Sequence, residues 1–244
     1  MRYIRDNEPP QELIDWCARQ RGVGVNLHFD SLGRVEVKGV KGDVKNAIRQ
    51  SRLLDQGYLC AYTMVRIDAN DCHLEHIIPR TVSNQAGRPE ETVQYRNIVA
   101  CFPLNGKCEF GAHAREDRRL PITPLDQSCE SRIRYLSNGE ASPRIPGDQD
   151  VKDLINQNGN LLRLNHPTLV KLRLAAVDVA GLSQKSMKPL RQAEARRFAE
   201  KIQSFKRGDR LPSFCIALIH AAEAHIERLN KLANKRRYAR RKPL

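Results

Sequence analysis

Four side chains in the middle of the sequence, Glu75, His76, Asn97 and His113, are of the types that phosphodiester hydrolysis requires. That reaction needs a base to take a proton from water and a divalent cation to offset charge on the phosphate. It also needs a group that holds the base in one orientation. His76 suits the first task, because a neutral imidazole is available at working pH. Glu75 or His113 can hold the cation, and Asn97 can fix the imidazole through its free ring nitrogen or through nearby backbone. Neighbours on a regular strand point to opposite faces. Glu75 and His76 therefore converge only if the chain leaves the strand here, which Pro79 encourages. His113 lies in a polar stretch of helical character after Gly111, which would set a cation opposite a base on the β-segment. Arg80, Arg115, Arg118 and Arg119 are the candidate phosphate contacts around this set. A lone Glu-His pair or a lone histidine is usually a surface feature; the order of all four in a basic chain carries the reading.

The elements that must position these groups fall into three segments, 1–56, 57–140 and 141–244. Pro9-Pro10 precede a short helix, QELIDWCARQ. The glycine-punctuated stretch Gly22 to Gly42 is either a hairpin or a loop. Asp43 can cap a helix through Asn46, Ile48, Leu53 and Leu54 that stops at Gly57. Tyr58 to Ile67 and His73 to Ile78 then predict a hairpin or two neighbouring strands. Pro89 opens a helix-like segment carrying Val93, Asn97, Ile98 and Val99, and Cys108 to Arg119 is plausibly helical. Prolines at 121, 124, 143 and 146 make residues 120–149 loop-rich. The remainder is mainly helical. Phe214, Ala217, Leu218, Ala221, Ala222, His225, Leu229 and Leu232 mark an amphipathic helix, and Lys231 to Leu244 is a basic tail without an acid. The expected class is α+β, mainly α.

Forty-two Lys and Arg stand against 28 Asp and Glu, a formal charge of +14. Such an excess displaces counterions from a polyanion, so nucleic acid is the expected partner, although a merely solvated basic protein would also show it. Hydrophobic residues at 40% suffice for a core, and aromatics at 5% count against a sandwich of many strands. No apolar run approaches the roughly 18 residues that cross a bilayer, and the charged opening MRYIRDNEPPQELIDW is unlike a signal peptide. A cytoplasmic protein without membrane association is expected. Seven unevenly spaced cysteines then read as metal ligands before they read as a disulfide framework.

In order along the chain, LLDQGYLCAYTMVRI, HLEHIIPRT, QYRNIVACF, CEFGAH and LPITPLDQSCESRIRYLSNGE resemble the HNH nucleases of Septu and retron-linked antiphage systems, the PtuB-like group. The opening MRYIRDNEPPQELIDW resembles that group's start, and the likeness continues weakly through the helical remainder. The resemblance implies an HNH ββα-metal nuclease core with flanking helices and a helical C-terminal region. It implies His76 as general base, Asn97 as the residue orienting it, His113 as the last metal-binding histidine and Glu75 as an acidic metal ligand. Mg²⁺ or Mn²⁺ would act on the scissile phosphate and the leaving 3′ oxygen. It also implies an ATPase partner of the PtuA-like kind, with a retron reverse transcriptase and its DNA. The chain itself has no GxxxxGK[ST] loop.

Proteins of this group often carry a structural zinc, for which Cys60, Cys101 and Cys108 are the candidates. Thr63 stands where a second thiolate is expected, and three thiolates with a hydroxyl make a poor tetrahedral site. Either the zinc is lost, or Cys72 or His73 substitutes. Cys17, Cys129 and Cys215 read as small buried residues. A zinc deaminase would need P-C-x-x-C beside His73-Leu74-Glu75, and Cys101-Phe102-Pro103-Leu104 does not supply it. The remaining alternative is a nucleic-acid-binding subunit with a degenerate site.

Overall fold

The computed structural model describes residues 1–37 and 40–239. Pro9 and Pro10 hold the chain extended ahead of α1 (Gln11–Gly22), which buries Leu13 and Trp16. A 3₁₀ turn at Phe29–Ser31 leads into an antiparallel hairpin of β1 (Arg34–Val37) and β2 (Val40–Asp43). Lys38 and Gly39 between them lie outside the described residues. Asp43 accepts from the Asn46 N–H at 2.8 Å and starts α2 (Val44–Gln56), which Gly57 ends at φ 63°. Both boundaries match the expectation from sequence.

The expected pairing of the next two apolar runs is wrong. Residues 58–67 fold back on themselves: Cys60 N–H donates to Val65 O at 2.8 Å and Met64 N–H to Cys60 O at 3.0 Å. Instead, β3 (His73–His76) pairs antiparallel with β4 (Ile98–Cys101), setting His76 opposite Ile98 and His73 opposite Cys101. Two causes are visible. The β-branched Ile98-Val99 favours strand over the helix expected around Asn97. The other edge of β4 is already occupied, because the Gln56 side chain accepts from Ala100 N–H at 2.9 Å and donates to Ala100 O at 2.8 Å. Between the strands lie α3 (Arg80–Gln85) and two 3₁₀ turns, Pro89–Val93 and Tyr95–Asn97, in place of the helix expected from Pro89.

The polar stretch after Cys108 yields only α4 (Ala112–Arg115). Then come α5 (Cys129–Arg132) and a hairpin of β5 (Ile133–Tyr135) with β6 (Ala141–Pro143). The helical remainder is α6 (Gln149–Ile155), α7 (Pro167–Val179), α8 (Gln192–Gln203) and α9 (Cys215–Ala239). Lys231, Lys235 and Arg236 of the basic tail are exposed on α9, while Arg240, Arg241 and Lys242 lie outside the described residues. The described residues thus form a mainly helical α+β architecture with three two-stranded sheets. No described helix is long and apolar enough to cross a membrane.

Two apolar clusters hold these elements. The larger runs from Met1 and Ile4 through Tyr62, Met64 and Val99 to Leu169, Phe214 and Ala222, so the β3–β4 region and the C-terminal helices share packing. The smaller gathers Leu13, Trp16, Phe29, Val44, Ile48, Tyr95 and Ile98 on the other side of α2. An ion pair on α2 links them. Arg52, fully buried, donates to Asp55 Oδ2 at 3.3 Å and to the Tyr95 carbonyl, and the Tyr95 hydroxyl donates to the same carboxylate. Asn7 and Arg207 donate to Asp55 Oδ1 at 2.8 and 2.6 Å. Removing one partner of a buried pair strands the other charge. Asp55→Ala should therefore lose about 3–5 kcal/mol of unfolding free energy in urea. Arg207→Ala, whose side chain is 47% exposed, should lose less than about 1 kcal/mol. Equal midpoints for the two variants would contradict this account.

Candidate active site

A cleft of about 880 Å³ runs along β3 and is lined by His73, Glu75, His76, Arg80, Lys107 and His113 among others. In a two-stranded sheet one edge of β3 is unpaired, and the cleft takes in side chains from both faces along it. This is how Glu75 and His76 both reach one space although the strand is regular through His76.

His76 is 5% exposed. Its Nε2 lies 2.8 Å from the Thr92 carbonyl, which can only accept, so Nε2 carries the proton and Nδ1 keeps a lone pair. The Phe29 ring packs edge-on against the imidazole at 4.6 Å between centroids. Burial drives the His76 pKa down to about 4, against the opposing pull of the Thr92 carbonyl and Glu75 and with help from Arg80 and Arg115. The ring is neutral at neutral pH.

Asn97 does not line the cleft. Its Oδ1 accepts from Ile78 N–H at 2.7 Å, and its Nδ2 donates to Ile78 O at 3.3 Å and Glu91 O at 3.0 Å. One amide therefore ties the exit of β3 to the turn that carries Thr92. Of the two routes the sequence left open for Asn97, the structure has the backbone one.

Arg115, expected as a phosphate contact, is 1% exposed. Its guanidinium donates to Glu75 Oε1 and to the carbonyls of His76, Ile77 and Arg118. Both terminal nitrogens are thus committed to the protein at the base of the cleft, and only the Nε–H is without a partner. Desolvation opposes the Glu75 charge, and the His73 and Arg115 side chains outweigh it, holding the carboxyl below its usual range. The other carboxylate oxygen, Oε2, lies 3.6 Å from His73 Nε2.

His73 shares a strand face with Glu75. Its Nδ1 lies 2.6 Å from the Pro103 carbonyl and must donate there. The His113 ring stacks on it, 5.3 Å between centroids. His113 is set the opposite way. Its Nδ1 accepts the Cys108 N–H at 3.1 Å, which in the neutral ring leaves the proton on Nε2. Among the described residues no three His, Cys, Asp or Glu side chains stand as a closed ligand group. The donor chemistry nevertheless suits a divalent cation at one place: a carboxylate oxygen and an imidazole lone pair side by side in an open cleft.

The cysteine site fits zinc less well. Cys60 and Cys101 are buried and adjacent. Burial pushes the Cys60 thiol up, but hydrogen bonds from Cys101, the Thr63 side chain and the Phe102 and Thr63 backbone bring it to about 6. Thr63 thus serves as a hydrogen-bond donor where a tetrahedral site needs a ligand. Cys108 is half-buried nearby.

Arg80 lines the cleft, paired with Asp30 at its mouth. Arg118 is engaged with the carbonyls of Ala114, Arg115 and Asn160, and Arg119 is exposed away from the lining. Sequence reasoning missed Phe29, Thr92 and Lys107, which carry no local signal. It named His73 only as a substitute ligand for a structural zinc, although a residue two before Glu75 on a strand lies on the same face.

No protein-family model matches the chain. A protein of Vibrio cholerae serotype O1 biovar El Tor described as "Retron Vc95 putative HNH endonuclease" is 27% identical over 167 residues, 68% of this chain and 77% of the relative. The resemblance to retron-associated HNH endonucleases stands.

The neutral buried state of His76 has a consequence for stability. An unfolded histidine titrates near 6.5, whereas the folded one does so at about 4. Between these values the unfolded chain binds a proton that the folded chain refuses. Stability is thus fully present above pH 6.5 and declines as pH falls towards 4, by about 1.4 kcal/mol per unit for this group. In urea titrations at pH 7, 6 and 5, His76→Gln should lose less stability on acidification than wild type, by roughly that slope. Parallel curves would show that the imidazole is not held neutral.

Proposed function

We propose that the chain is an HNH endonuclease that hydrolyses nucleic-acid phosphodiesters with a divalent cation, Mg²⁺ or Mn²⁺. The nuclease core is the ββα-metal unit of β3, β4 and α4 within residues 57–140. The observation that carries this reading is His76: a buried, neutral imidazole whose Nε2–H is committed to the Thr92 carbonyl, leaving Nδ1 as a base at the cleft. The homology to a retron HNH endonuclease supports it independently.

The residues divide the work as follows. His76 Nδ1 takes the proton of the attacking water, and the charge that appears on the ring is met by the Thr92 carbonyl and by Glu75. A base whose pKa rests near 4 gains proton affinity when a phosphate brings negative charge beside it. Substrate binding therefore helps prepare the base. Asn97 acts through the backbone it clamps, as a positioning residue. Glu75, with His113 beside His73, borders the place for the cation, which when bound supplies charge stabilisation to the phosphate. Ligation by His113 Nε2 requires its Nδ1 to give up the Cys108 N–H. Arg80 and Lys107, at the cleft, are the cations suited to the flanking phosphate backbone.

The setting we propose is an antiphage defence complex with an ATPase partner and a retron reverse transcriptase with its DNA. The helical region 141–244, apart from the cleft, is the face for the ATPase. Purified protein incubated with Mg²⁺ or Mn²⁺ should cleave nucleic acid, and His76→Ala should lose about 10²–10⁴-fold in rate while binding persists. Equal cleavage by His76→Ala would remove the base assignment. Binding by wild type without cleavage under either cation would favour the nucleic-acid-binding alternative.

A further inference from the structure

We infer that His73 is a cation ligand, paired with Glu75, and that this imidazole makes the site one for a transition-metal dication ahead of Mg²⁺. The inference rests on the metal-dependent reading above and goes beyond it, because neither the chemistry of the base nor the named homologue calls for His73.

Three observations converge. First, His73 and Glu75 alternate on one face of β3, and their Nε2 and Oε2 atoms are 3.6 Å apart. Donors at that separation can share one ion held about 2.1 Å from each. Second, the tautomer is already fixed. Because the Pro103 carbonyl takes the Nδ1 proton at 2.6 Å, the neutral ring presents its lone pair at Nε2, towards Glu75. A carbonyl that orients a metal-binding histidine in this way is a recurrent second layer of metal sites. Third, Arg115 occupies only Oε1 of the carboxylate, so Oε2 is the oxygen turned to the histidine. Both side chains are about one-fifth exposed, at 20% and 19%, which leaves an ion a route in.

His113 lacks this preparation, since its Nδ1 is an acceptor for backbone. The His73–Glu75 pair can thus take an ion with the loss of an Nε2 proton and without side-chain rotation. Its composition also selects the ion. Mg²⁺ favours all-oxygen, well-hydrated surroundings, whereas an imidazole nitrogen favours later first-row ions. Mn²⁺ accepts both and serves as the probe.

The test is direct Mn²⁺ binding to the full chain, read by the electron paramagnetic resonance of the free aqua ion and independent of cleavage. Wild type should bind Mn²⁺ at one site and retain it against an equal concentration of Mg²⁺. His73→Ala should bind at least about tenfold more weakly, and so should Glu75→Gln. His73→Phe preserves a ring to stack on His113 and should bind as poorly as His73→Ala, which separates lost ligation from lost packing. Wild-type affinity in both His73 variants, with Glu75→Gln impaired, would overturn the role of His73 and leave the nuclease reading standing. Absence of Mn²⁺ binding by wild type would overturn the inference, and Mg²⁺-dependent cleavage by the same protein would still leave the nuclease reading standing.

Discussion

The candidate site depends on a positive charge buried beneath it. The Arg115 guanidinium is almost wholly excluded from water, and an unpaired charge there would cost several kcal/mol. It is neutralised by one carboxylate, Glu75, and its terminal nitrogens also donate to the carbonyls of His76, Ile77 and Arg118. The first two of these carbonyls lie where β3 ends, and the third lies in the turn after α4. The arginine therefore draws the end of β3 and the end of α4 onto one point. Glu75 has two obligations in consequence, one oxygen for the fold and one for the cleft, and the fold holds it where a cation would need it.

A second constraint acts on His76. His76 is covered by Phe29, which belongs to the apolar cluster around α1 and α2, while most of its cleft is built by β3 and the segments that follow it. The Phe29 N–H donates to the Thr92 hydroxyl at 3.0 Å, and the Thr92 carbonyl receives His76. The aromatic cover and the carbonyl that sets the tautomer are thereby locked to each other. Excluding water from an imidazole lowers its proton affinity, so the N-terminal segment tunes a group with which it shares no sequence neighbourhood. Arg80 stands over the Phe29 ring and pairs with Asp30 at the mouth, which ties the aromatic cover to the rim.

How much of this could be read in advance follows from how local each cause is. The start and stop of α2 were legible because Asp43 and Gly57 act on their own backbone. Glu75, His76 and His113 were singled out by chemical type and do line one cleft, whereas Asn97, grouped with them, lies outside it and bonds to backbone. The strand pairing was not, because Gln56 fills one edge of β4 with a side-chain amide, and an apolar run such as Tyr58 to Ile67 looks the same whether it pairs or folds back. Arg115 was misread for a similar reason. An arginine in a polar stretch looks solvated until the carboxylate and carbonyls that surround it are assembled from distant positions.

The least legible part of the site is also the one on which its chemistry turns, namely carbonyls left over by irregular backbone. Were residues 89–97 the helix that Pro89 suggests, the Thr92 carbonyl would be taken by the amide four residues on, and His76 would have no fixed tautomer. Instead the first 3₁₀ turn stops at Val93, and Gln94 is extended at φ −67° and ψ 120°. This leaves Thr92 O free for the imidazole and Glu91 O for the Asn97 amide. The Pro103 carbonyl, in the loop after β4, does the same for His73. Two histidines on one short strand are thus given defined lone pairs by segments with no regular structure, and Asn97 binds the first of those segments to the strand it serves. Propensity that had completed the helix would have stabilised the turn and taken from His76 the carbonyl that fixes its tautomer.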